Sequence, residues 1–289
     1  MNPHDDHPQQ IKADLLAWLK QNDAEGSAWF LDEGPPAEVA AVAVPAAEPA
    51  AAPVSAPAAP ESEDPFDAEC QAFVARTLES IDRQGGKNDR PVVPGTPEEA
   101  LAQLRQTVQS CTLCALHAGR TQTVFGAGSG QAEVLFIGEA PGRDEDLQGE
   151  PFVGRSGQLL TKIIGGIGFS RDDVYICNIL KCRPPNNRDP LPEEVACCES
   201  FLKQQLAIIQ PRVICCLGRI AAQTLLKTEA SLGSLRQNVH FYEGVPVMAT
   251  YHPAALLRNP GWKRETWNDV RKLRALHDAL SGSTGSEGQ

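Results

Sequence analysis

The chain predicts a three-layer α/β/α fold around a central four-stranded parallel sheet, on three observations. Four short apolar runs read as buried strands, stretches of helical period separate them, and the unusual polar or Gly-rich motifs fall just after such runs. Strands that alternate with helices pair in parallel, are covered on both faces, and gather a working site at their C-terminal edge.

The regular pattern begins at Thr96-Pro97-Glu98-Glu99, a capped helix start with an acidic first turn that runs into Cys111. Residues 133–138 form the first expected strand and lead into Gly138-Glu139-Ala140-Pro141-Gly142. The second strand, 174–179, carries Asn178 near its end. Residues 213–217 and 245–250 are the third and fourth, the last running into Tyr251-His252-Pro253. Helices are expected over 156–167, 192–209, 218–226 and 262–280. Three strand ends with polar or Gly-rich segments would converge on one pocket.

Upstream the composition changes. Residues 34–65 consist almost wholly of Ala, Pro, Val and Glu with no aromatic residue, so they cannot bury enough surface to offset the entropy of ordering. We therefore divide the chain into four parts. Residues 1–33 form a short amphipathic segment, with Ile11, Leu15, Leu16, Trp18 and Leu19 at helical spacing. It is suited to docking on a partner protein or on its own domain. Residues 34–95 are an acidic, mostly disordered linker containing a helical patch over 66–81. Residues 96–281 are the folded domain and 282–289 a flexible tail.

The formal charge of −11 follows this division. Residues 1–95 carry six Lys/Arg against seventeen Asp/Glu, while residues 96–289 balance at twenty against twenty. Residues 181–289 hold fourteen basic against ten acidic groups, a surplus that could face phosphates if clustered. No basic leader or long apolar run is present, so neither a signal peptide nor a membrane span is expected, and a cytoplasmic location follows.

In that compartment nine cysteines argue for ligands and small buried hydrophobes rather than disulfides. Cys111 and Cys114 form a C-T-L-C pair, Cys182 lies in K-C-R-P-P, and Cys198 ends the stretch that follows. Such a set could hold zinc or an iron–sulfur cluster. Zinc modules usually bring two close pairs, whereas fifteen residues separate Cys182 from Cys198, a spacing better suited to a cluster. Cys70, Cys177, Cys215 and Cys216 read as structural, and Cys197 stands out only by adjoining Cys198.

Taken in order, the motifs resemble the iron–sulfur uracil-DNA glycosylases of family 4, in the uracil-DNA glycosylase superfamily. The resemblance rests on Cys111 to Cys114, Gly119-Arg120-Thr121, Val124-Phe125-Gly126, Gly138 to Gly142, Glu145-Asp146, Pro151-Phe152-Val153-Gly154 and Gly157 with Leu159-Leu160. It continues through Asn178, Lys181-Cys182-Arg183-Pro184-Pro185, Asn187-Arg188, Pro190 to Pro192, Leu217-Gly218, His252-Pro253-Ala254 and Leu257 to Pro260. It spans about residues 97–281.

That resemblance implies a DNA repair hydrolase. It would flip uracil out of DNA and break its N-glycosidic bond, giving free uracil and an abasic site. It implies a 4Fe-4S cluster on Cys111, Cys114, Cys182 and Cys198, and a monomer working at the nucleoid. Phe152 would stack on the base, Asn178 would read it, Glu145 would crowd C5 against thymine, and the turn at Ala140 would join the substrate contacts. His252 would stabilise negative charge on the departing uracil, and Glu139 would polarise water. Leu256, Leu257 and Arg258 would press into the minor groove and meet phosphate. Taken singly, these are ordinary residues: a core aromatic, a strand-end amide, a histidine before proline, a solvated carboxylate.

Two alternatives share the scaffold, a catalytically silent iron–sulfur DNA-binding protein and a related subgroup that traps uracil-DNA covalently through a histidine on a basic insertion. No such insertion lies between Gly154 and Lys181, which favours hydrolysis. A related group, family 5, lacks the glutamate of the first motif. A zinc-stabilised binding module with a functional acidic arm is a further alternative.

Overall fold

The computed structural model describes residues 65–83 and 94–282. The proposed docking segment, most of the linker and nearly all of the tail lie outside the described residues. In chain order the elements are α1 (Pro65–Arg83), α2 (Pro97–Gln109), β1 (Ala127–Gly128), β2 (Val134–Gly138), α3 (Arg143–Gln148), α4 (Arg155–Gly166), β3 (Tyr175–Asn178) and α5 (Pro192–Ile209). They continue with β4 (Val213–Leu217), α6 (Arg219–Leu226), α7 (Leu232–Leu235), β5 (His240–Tyr242), β6 (Val245–Thr250), α8 (Pro253–Arg258) and α9 (Lys263–Gly282). Short 3₁₀ turns occupy Ala115–Ala118, Pro185–Asn187 and Pro260–Trp262.

The expected parallel core is present as β3-β2-β4-β6, but the sheet has six strands rather than four. Two short antiparallel strands close its edges. At one, Ala127 and Gly128 of β1 pair with Ile176 and Tyr175. At the other, β5 folds back on β6 through Glu243-Gly244, both with positive φ, 48° and 77°. Paired positive φ values fit a two-residue hairpin turn, but Glu is an unusual occupant there, so the turn is hard to see in the sequence.

Side-chain alternation makes the three layers. On β2, Leu135 and Ile137 enter one cluster with Leu101, Leu104, Phe201 and Leu202 of α2 and α5. Val134 and Phe136 enter the other with Leu160, Ile164, Val270 and Leu273 of α4 and α9. The neighbours Cys215 and Cys216 on β4 likewise join opposite clusters, as residues of a strand buried on both faces should.

Helix α2 begins with a reciprocal cap. The Thr96 hydroxyl accepts the Glu99 N–H at 3.2 Å, and the Glu99 carboxylate accepts the Thr96 N–H at 3.1 Å.

Within the stretch assigned to the linker, the helical patch expected over 66–81 is present as one continuous helix, Pro65–Arg83. Cys70, Phe73 and Thr77 share its buried face. Asp67 and Glu69 pair with Arg271 and Lys272 of α9, both at 2.6 Å, and the Arg271 guanidinium lies 4.1 Å from the Phe66 ring centroid. The basic stripe of α9 orders this acidic segment, and that stripe lies about two hundred residues away in sequence. No helix among the described residues is long and apolar enough to cross a membrane.

Candidate active site

The ends of β2, β3 and β6 do meet in one place. They border a cavity of about 410 Å³ lined by Glu139, Ala140, Glu145, Phe152, Asn178 and His252, together with Pro184, Asn187, Arg188, Asp189 and Arg258. That size admits a ligand larger than a single base, such as a base with its attached sugar.

Gly138 makes the floor by lacking a side chain. It is the register partner of Asn178, and a Cβ there would lie 2.3 Å from Asn178 Oδ1 and 2.6 Å from Phe152 Cζ. Pairing continues beyond the strands, with the N–H groups of Ile179 and Leu180 donating to Gly138 and Glu139 carbonyls at 3.0 and 3.1 Å. Asn178 is 2% exposed and its Oδ1 accepts no hydrogen bond. An orphaned buried acceptor costs about 1–3 kcal/mol, so its persistence points to a ligand donor.

Phe152 is also held under strain. Its φ of 54° lies in the left-handed region, unusual for a bulky residue. Arg171 fastens the turn by donating to the Pro151 and Phe152 carbonyls at 2.8 and 3.3 Å. Gly157 lets α4 approach, since a Cβ there would overlap the Phe152 carbonyl oxygen.

His252 is half-buried, its ring centroid 5.5 Å from that of Phe152 with the planes tilted by 33°. Its Nδ1 accepts the Ala254 N–H at 3.1 Å, which assigns the proton of the neutral ring to Nε2. Burial, reinforced by the Arg258 charge, lowers its pKa to about 4, so the ring is a neutral donor at ordinary pH.

The residues just before His252 are clamped. Tyr251 lies between Trp262, stacked at 4.6 Å, and the Arg236 guanidinium at 4.3 Å. Arg236 in turn pairs with buried Asp269 at 2.7 Å, which accepts the Thr250 hydroxyl at 2.7 Å. Sequence reasoning missed this clamp, because its members are scattered over thirty-odd residues with no shared motif.

Glu139 is half-buried, and desolvation followed by the charge of Asp189 raises its pKa to about 7, against the pull of Arg219. Glu145 is more committed than its expected role allows. Its Oε1 accepts the Val153 and Gly154 N–H groups at 3.1 and 3.3 Å, so the carboxylate anchors the turn that carries Phe152 while bordering the cavity.

Of the two leucines, Leu256 is the one that packs inward. It is 1% exposed, on the inner face of α8, which packs on α4, so it has no surface to offer a groove. Leu257 is partly buried and Arg258 exposed. Asn187, Arg188 and Asp189 enter the cavity wall without having been assigned a role. Asn186 and Asn187 both have positive φ, and the Arg188 guanidinium is gripped by buried Glu194, with one contact at 2.9 Å. The Asn187-Arg188 pair was a visible signal, but only folding brings it opposite His252.

The four cysteines are gathered too. Cys111, Cys114, Cys182 and Cys198 line one narrow space with Cys197, Arg120, Lys181 and the apolar Val108, Leu113 and Phe201. Arg120 donates to Cys182 Sγ at 3.3 Å and to the Cys111 carbonyl at 2.8 Å, and Cys197 donates to the Leu113 carbonyl at 3.3 Å. Desolvation raises the Cys198 pKa to about 11. The enclosed space is about 10 Å³, roughly one water's room, and among the described residues no three His, Cys, Asp or Glu side chains are arranged to hold a single metal ion.

Comparison with known proteins supports the same assignment. Residues 125–271 match the family described as the uracil DNA glycosylase superfamily, just over half of the chain. A type-4 uracil-DNA glycosylase of Archaeoglobus fulgidus is 48% identical over 186 residues, a match covering 62% of this chain and 94% of that protein. The chain belongs to the uracil-DNA glycosylase superfamily. Among other superfamily members, the type-4 enzyme of Thermotoga maritima is 43% identical over 63% of this chain and 96% of its own length. That of Saccharolobus solfataricus is 44% identical over 60% and 83%. The superfamily match leaves nearly half of this chain outside it, and the type-4 relatives leave more than a third.

Proposed function

We propose that the chain is a uracil-DNA glycosylase of the type-4 kind, taking a flipped uracil into the cavity and hydrolysing its bond to deoxyribose. The observation that carries this reading is the orphaned Oδ1 of Asn178 on the cavity floor. Uracil offers N3–H to that oxygen and O4 to the same amide's N–H groups, whereas cytosine presents the opposite pattern. Phe152, fixed beside it, offers a face for stacking.

Cleavage of the bond between C1′ and N1 sends its electron pair into the base, where charge collects on O2. His252 Nε2–H is the donor available to that oxygen, and a neutral imidazole serves because it need not part with a proton. Water adds to C1′ and loses a proton. Glu139, with a pKa near 7, is the group able to orient that water and accept the proton. Glu145 would act on selectivity by holding the Phe152 turn and the cavity wall beside C5. Leu257 and Arg258 would meet the DNA, joined by Arg188.

Cys111, Cys114, Cys182 and Cys198 would hold a 4Fe-4S cluster. In favour are four thiols from three segments on one narrow space and the Arg120 donor to sulfur. Admitting a cluster requires the thiols to turn outward from a space this small, a rotation about χ1. When bound, the cluster would tie together the segments after α2, at Cys182 and in α5, with no part in bond cleavage. On the same reading the enzyme works as a monomer at the nucleoid, and residues 1–33 dock a protein partner.

The test is incubation with a uracil-containing oligonucleotide followed by alkali, beside measurement of iron content and visible absorption. Strand cleavage at uracil is expected. Uncut DNA from iron-loaded protein would overturn the proposal.

A further inference from the structure

Among the described residues, Lys181 alone both borders the thiol space and bonds directly to the base-reading residue of the neighbouring cavity. It is 1% exposed, and its ammonium donates to the Asn178 carbonyl at 2.7 Å. Among the described residues no carboxylate pairs with the ammonium. Its own carbonyl accepts the Val124 N–H at 2.8 Å, which holds its backbone against the neighbouring segment.

An unpaired ammonium taken out of water is among the most costly groups a fold can hold. The groups able to offset it lie on the other side of the same residue, since cysteines become anionic when they ligate metal. Arg120, the second cation on that space, donates to sulfur and to two main-chain carbonyls but makes no bond to Asn178.

We propose that Lys181 is a positioning residue. Its charge is balanced by the thiolate site, and its bond to the Asn178 carbonyl fixes the strand end that presents the amide to uracil. The inference rests on the iron–sulfur reading above and adds to it a physical link between cluster and base recognition. Loss of the cluster would then loosen base reading through one side chain.

The experiment compares iron-loaded wild type with Lys181→Met, Lys181→Arg and Arg120→Gln. Two quantities are followed: the rate at which a ferrous chelator bleaches the visible absorption, and the ratio of kcat/KM on uracil-containing DNA to the rate on cytosine in the same context. For K181M, bleaching should be several-fold faster and the ratio should fall about tenfold, the scale of a lost charge-assisted hydrogen bond. K181R should stay closer to wild type in both. R120Q should bleach faster with its ratio unchanged.

A K181M protein that matches wild type in either quantity overturns the proposal. If K181M is recovered only unfolded, the proposal still requires K181R to fold with its absorption and R120Q to bleach faster, and failure of either overturns it. Wild type with no visible absorption would refute the iron–sulfur reading itself, a result distinct from any difference among variants.

Discussion

The Asn178 cavity and the thiol space are neighbours built on opposite terms. The cavity holds groups the fold leaves unfinished: an amide oxygen with no donor, a phenylalanine in left-handed backbone, and a carboxyl pushed up to about 7. The cysteines of the thiol space tolerate burial as they stand, because a neutral thiol is a small hydrophobe, and buried Lys181 beside them is the exception. On the proposed reading chemistry belongs with the first set, since unsatisfied and strained groups gain by meeting a ligand.

The sharpest way to break this contrast is His252→Ala. Removing a donor to the leaving base should lower kcat about a hundredfold or more, equivalent to roughly 3 kcal/mol, while visible absorption and Tm hold. An enzyme that keeps its rate would move the chemistry away from this side of the cavity.

Asn178→Ala should come next. Loss of the reading amide is expected to lower kcat/KM by about tenfold to a hundredfold and to collapse the preference for uracil over cytosine, measured on matched oligonucleotides. Equal loss on both bases would make Asn178 a packing residue.

The pH profile sharpens the role of Glu139. A base must be ionised, so kcat/KM should rise about tenfold per unit towards pH 7 and level off above it, and Glu139→Gln should remove that limb. His252, neutral well above about 4, should add no second limb between pH 6 and 8. The linked stability effects have opposite signs. The raised pKa of Glu139 means stability declines as pH rises from its ordinary 4.5 towards 7, whereas the lowered pKa of His252 means stability is lost as pH falls from 6.5 towards 4.

The smallest effect per folded molecule is expected at the thiols. Cys198→Ser should bleach the visible absorption and lower Tm by about 5–10 °C, with kcat per folded molecule kept and the preference for uracil over cytosine reduced, because Lys181 loses the charge that balances it. A loss of rate in fully folded protein would give the thiol site a direct part in chemistry.

How much of this was legible depended on distance along the chain. The four parallel strands lie where apolar runs predict them, because fully buried strands carry their signal in consecutive residues. The edge strands carry none: β1 is two residues long, and the β5 hairpin turns on Glu243 where Asn or Asp would be expected. Helix α1 was visible as a patch over 66–81 but was assigned to the linker, since its stabilising partners Arg271 and Lys272 lie on α9.

The site shows the same division. Residue types and order at 138–142, 152, 178 and 252 determined which groups gather at the sheet's C-terminal edge, because strand ends in a parallel sheet point the same way. Tertiary structure alone decided their state. It left Asn178 Oδ1 without a donor, turned Nε2 of His252 into the donor, bound Glu145 to the 153–154 backbone, and turned Leu256 inward. Each of these depends on which neighbour fills the space around a polar or apolar group, and burial and hydrogen bonding of that kind arise only when segments far apart in sequence are packed together.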